Sequence, residues 1–115
     1  MTKARELSDY TGLQGDLALK SPVASPVFTG NVGIGAVPKT WYANYVATQI
    51  GTGGALAARS NAGGGYSQVY LSANMYVDAA GADKYINTEW ASIVRQSGGV
   101  ISFDVAPSGT ADAAI

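Results

Sequence analysis

Tyr66-Ser67-Gln68-Val69-Tyr70-Leu71-Ser72-Ala73-Asn74-Met75-Tyr76-Val77-Asp78 alternates with a period of two from end to end. Val69, Leu71, Ala73, Met75 and Val77 fall on one side of a pleated strand, and Tyr66, Gln68, Tyr70, Ser72, Asn74, Tyr76 and Asp78 on the other. The stretch reads as a single β-strand. Ile101, Phe103 and Val105 alternate with Ser102 and Asp104 in the same way and predict a shorter strand after the Gly98-Gly99 turn.

Working outward, turn signals punctuate the chain from Val27 onward. Glycine clusters stand at 51–54, 63–65 and 98–99, with Ala79-Ala80-Gly81 and Pro107-Ser108-Gly109 between or after them. Strand-like runs separated in this way predict an antiparallel meander or sandwich. Residues 44–50, 55–60, 84–90 and 91–96 carry weaker patterns. Tyr45-Val46-Ala47-Thr48-Gln49-Ile50 has β-branched and aromatic content, whereas Leu56-Ala57-Ala58-Arg59 favours helix. A helix across 41–60 is the main rival, and Gly51, Gly53 and Gly54 oppose it.

The first third of the chain differs. Leu7, Tyr10 and Leu17 fit a helical 3-4 spacing, with Gln14 at the remaining core position and Leu13 beside the stripe. Gly12 and Gly15 weaken the pattern, and so short a helix is marginal alone in water. It reads either as one strand of a three-chain coil, with Gln14 setting register, or as a tail that orders against another protein. Pro22 and Pro26 then hold the chain extended, as a semi-rigid connector. The organisation expected is therefore an attachment or coil segment at 1–20, an extended linker at 21–38 and a β-rich module at 39–115.

Composition narrows the function. Only 13 % of residues are charged, about half the usual share, and small uncharged residues take their place. Such a surface suits protein–protein seams better than a freely solvated monomer. Seven basic against eight acidic residues, with no basic cluster, argue against nucleic acid as a partner. The absence of His and Cys removes the commonest general base, the commonest transition-metal ligand and any disulfide framework. No apolar run approaches the roughly 20 residues of a membrane span, and no apolar stretch of a secretory signal follows the basic start. With residues 1–38 outside the core, about 75 remain to bury one, which is marginal without a staple. Oligomerisation is the staple left.

Candidate chemistry is weak throughout. Gly30-x-x-Gly33-x-Gly35 reverses the spacing of a dinucleotide loop, and Gly51-Thr52-Gly53-Gly54 lacks the Gly-Lys-Ser/Thr ending of a phosphate loop. Asp78, Asp83 and Glu89 are the only acidic cluster that could serve a glycosidase, without the paired spacing in a cleft that hydrolysis needs. Asp78, Asp83 and Asn87 offer hard oxygen ligands for calcium but no EF-hand spacing. The expectation is a chain with no catalytic residues, cofactor or metal. Tyr66, Tyr70 and Tyr76 share one strand face and read as an inter-sheet or inter-chain seam, with stacking on a glycan as the alternative.

Two stretches resemble a known family. Asp16-Leu17-Ala18-Leu19-Lys20-Ser21-Pro22-Val23-Ala24-Ser25-Pro26-Val27-Phe28-Thr29-Gly30 is similar to the linker repeat of tailed-bacteriophage tail fibre proteins. Gly30-Asn31-Val32-Gly33-Ile34-Gly35, with Pro38 following, resembles a segment that recurs in such fibres. The block from Tyr70 through Asp83-Lys84-Tyr85-Ile86, Arg95-Gln96-Ser97-Gly98-Gly99 and Ser108-Gly109-Thr110-Ala111-Asp112 is similar to a β module that many such fibres carry.

The resemblance implies an elongated, mainly β homotrimer in the virion, made in the host cytoplasm, acting as a structural subunit between particle and receptor-binding tip. It implies a phage tail or baseplate protein as docking partner, with Leu7, Tyr10, Leu13 and Leu17 at the docking surface or trimer seam. The host receptor would be met through a distal region beyond this chain, which reads as the proximal piece of a longer fibre. A host-glycan-binding module and a fragment of a tailspike depolymerase are the alternatives.

Overall fold

The computed structural model describes residues 27–59 and 65–115. Leu7, Tyr10, Leu13 and Leu17, and with them the expected coil, lie outside the described residues. Eight strands follow in chain order: β1 (Val32–Ile34), β2 (Tyr45–Ile50), β3 (Gly54–Arg59), β4 (Gln68–Ala73), β5 (Met75–Val77), β6 (Asp83–Tyr85), β7 (Glu89–Ser97) and β8 (Val100–Gly109). The described residues are mainly β and contain no helix, so the helical rival for 41–60 gives way to the β2–β3 hairpin. The glycines decide it: Gly51 sits at φ +53° in the turn, a conformation that glycine adopts without penalty.

Six strands form one sheet in the order β1-β2-β3-β4-β7-β8. All neighbours are antiparallel except β1 and β2, which run parallel. β1 comes from the stretch expected to be linker. Gly33 at its centre has no room for a side chain, because a Cβ would strike the carbonyl of Ala36. β5 and β6 form a separate two-stranded hairpin.

The single strand expected over 66–78 is two strands in two sheets. The break is Asn74, which stands at φ +57° and redirects the chain from β4 into β5. Its side chain is buried and ties together what the break separates. Nδ2 lies 3.2, 3.2 and 3.0 Å from the carbonyl oxygens of Asn87, Glu89 and Trp90, to which it donates. Oδ1 accepts from the Asn87 amide at 2.6 Å. The register of β7 against β8 shifts between Glu89 and Ala91, so Asn74 holds the β7 strand where it enters a β-bulge.

The core lies between the large sheet and the hairpin. From the sheet come small residues, Ala47, Ala55, Ala57, Ala91 and Ala106, together with Tyr45, Tyr70 and Ile93. The covering layer supplies bulk in Trp41, Met75, Tyr76, Val77, Tyr85 and Ile86. Small against large lets the two layers approach closely. Trp41 packs edge-on to Tyr76 at 6.2 Å between ring centroids, and Tyr45 against Tyr70 at 5.3 Å. The Tyr42 amide donates to Val77 O at 2.9 Å, fastening the segment before β2 to the hairpin.

Candidate assembly face

Among the described residues, only one side of the six-stranded sheet is covered. Reading across the paired registers, the uncovered side presents the rows Val32, Thr48, Leu56, Leu71, Val94, Phe103; then Ile34, Ile50, Gly54, Ala73, Ser92, Val105; then Val46, Ala58, Val69, Gln96, Ile101. None of these residues is charged. Leu71 is 59 % exposed, Phe103 78 % and Val105 86 %. Trp90, carried outward at the bulge, is 71 % exposed.

The relief of this face follows from residue size. Thr48, Leu56, Leu71, Val94 and Phe103 make a ridge across the sheet. Beside it Gly54, Ala73 and Ser92 leave a trough, and Leu71, Ala73, Ser92, Val94, Phe103 and Val105 border a recess of about 430 Å³ there. The large residues exposed on this side, each open over two-fifths or more of its surface, present on the order of 1,000 Å². The largest apolar patch of an ordinary monomer is about 300–600 Å².

The tyrosines expected to share one surface do not. Tyr70 and Tyr76 are buried in the core, in different sheets, and only Tyr66, which precedes β4, is exposed. Tyr70 and Tyr76 thus form a seam between the two sheets of one chain, because the hairpin folds over the tyrosine side of β4. Tyr45 and Tyr70 both donate to Gln68 Oε1, at 2.6 and 3.0 Å. Burial, reinforced by the neighbouring Tyr70 hydroxyl, pushes the Tyr45 phenol well above its ordinary value. Tyr76 donates to Asp112 Oδ1 at 2.8 Å, and burial together with that bond pushes its phenol up to about 12.

The acidic residues weighed for catalysis or calcium are dispersed over structural tasks. Asp78 Oδ1 accepts from the Ala80 and Ala82 amides, both at 2.9 Å, and the Ala82 amide foremost holds its carboxyl below the usual range. Asp83 is pushed up by burial, against the pull of Arg95 at 3.9 Å. Glu89 is exposed at the start of β7, and Asn87 Nδ2 donates to Thr52 O. Lys39 Nζ lies 2.8 Å from Asp112 Oδ1 and, with Tyr76, lowers that carboxyl. Among the described residues no group of three or more His, Cys, Asp or Glu could hold a metal ion, and no helix is long and apolar enough to cross a membrane.

Comparison with protein-family models, with curated proteins and with solved structures finds no match to this chain.

Sequence reasoning missed this face. Its signal was present in the partners of the tyrosine stripe: Val69 and Leu71 alternate with the tyrosines and are equally apolar. Two apolar sides on one strand imply two covering layers. The described residues supply one of them.

Proposed function

We propose that this chain is a structural subunit of a tailed-phage virion: the proximal part of a homotrimeric tail fibre that joins the particle through residues 1–20 and spaces a distal receptor-binding tip from it. It acts without catalysis and without a cofactor. The observation that carries the reading is the uncharged apolar face of the six-stranded sheet, which the described residues leave uncovered and which a free-standing monomer would not keep. The mainly β architecture and the two sequence stretches that resemble fibre linkers support the same reading.

Two measurements test it together. The 115-residue chain is expected to sediment as a trimer at micromolar concentration. Removing residues 1–20 from the fibre gene is expected to give fibres that assemble but are missing from particles. Particles that keep their fibres after this deletion would refute the attachment role.

A further inference from the structure

We propose that the open face of the six-stranded sheet is where copies of this chain meet, the Leu71–Phe103 ridge of one copy seated in the Ala73–Ser92 trough of the next. The number of copies, three, rests on the fibre reading above; where they touch rests on the face alone.

Charge is the first argument for a second copy as the occupant. A face without any ionised side chain meets an identical face with no like-charge repulsion and no buried unpaired ion. The second argument is area. Shared between two neighbours in a ring, on the order of 1,000 Å² of exposed residue surface gives about 500 Å² per partner at each contact, or about 1,000 Å² in all, the lower bound for a specific interface. The third is shape. The ridge and trough lie side by side on one surface, and the recess of about 430 Å³ between them has room for a leucine or phenylalanine side chain from outside. Ridge into trough is a heterologous contact, which forms a ring when the rotation between copies closes, as the three-fold fibre reading requires. The hairpin already covers the other side of the sheet, so assembly through the open face would leave each chain with a two-sided core.

The test uses the full 115-residue chain. Leu71→Glu and Phe103→Glu change side chains exposed in the single chain, so the strand signal in circular dichroism should persist while the trimer dissociates to monomer. The sequence has no cysteine, so a single introduced thiol reports its own position. Leu71→Cys should cross-link between chains with a short bismaleimide. Ala80→Cys, exposed on the hairpin turn of the opposite layer, should not. A trimer whose mass survives both glutamate variants, or one that links through Ala80→Cys and not Leu71→Cys, overturns the face assignment and leaves the fibre reading standing. A dimer that Leu71→Glu dissociates supports the face assignment and overturns the three-fold reading. A wild-type chain that stays monomeric, its open face protected by its own residues 1–26, overturns both.

Discussion

Replacing Asn74 should be the most damaging single change in the sheet, and the structure says why. The side chain is 1 % exposed, donates toward three backbone carbonyls and accepts from the Asn87 amide. Asn74→Ala removes these bonds at once. The Asn87 amide and at least one of the carbonyls lose their side-chain partner, at about 1–3 kcal/mol for each such group that water does not reach. Alanine must also hold φ +57°, which costs a non-glycine residue roughly 1–2 kcal/mol. Taken at the lower end for these part-buried groups, the sum is a destabilisation of about 3–5 kcal/mol. Asn74→Gly separates the two causes, because glycine takes the backbone angle freely but makes no side-chain bonds, and should lose about 1 kcal/mol less. Asn74→Asp keeps the acceptor and sets a carboxylate against three carbonyl oxygens, so it should be worse than Gly at neutral pH. Urea unfolding followed by circular dichroism, at one fixed protein concentration, measures all three. A loss below about 1 kcal/mol for Asn74→Ala would show that the bulge holds without this side chain, and equal stabilities for the Ala and Gly variants would remove the cost assigned to the backbone angle.

Trp41 is buried and Trp90 exposed, so assembly that covers the bulge end of the open face should shift Trp90 emission to the blue, and dilution to monomer should reverse it; emission independent of concentration would place Trp90 outside the contact. Ala57 and Ala58 are adjacent but face opposite ways. Ala57→Leu should cost about 1–3 kcal/mol by overpacking beneath the tyrosines, whereas Ala58→Leu should leave the fold of a single chain intact, as thermal melts of the two variants would reveal. At high pH the Tyr76 phenol, raised from 10.0 to about 12, stabilises the fold fully below pH 10 and loses that contribution between 10 and 12. Alkaline unfolding should therefore begin near pH 10, and Tyr76→Phe should flatten it. Asp112, whose carboxyl is lowered by Lys39 and Tyr76, works in the other direction. Its contribution is complete above 3.8 and fades as pH falls below that, so Asp112→Asn should weaken the acid dependence of the melting temperature.

Much of the strand content was determined by sequence alone, because a two-residue period and the glycine turns are local properties. The strand character of Gln68–Ala73, the Ile101-to-Val105 alternation and the glycines that end β2 all follow from residues within a few positions of one another. Composition was equally direct in leaving out histidine and cysteine chemistry. What only the tertiary structure decided was which side of each strand is inside. Tyr70 and Leu71 are both apolar enough to be buried, and nothing local separates them. The choice was made by the β5–β6 hairpin, which folds onto the tyrosine side because Asn74 turns the chain there. That turn is itself illegible in the sequence, where Asn74 continues the alternation without interruption. It is held by backbone groups of Asn87, Glu89 and Trp90, thirteen to sixteen residues away, and such bonds exist only once the chain has folded.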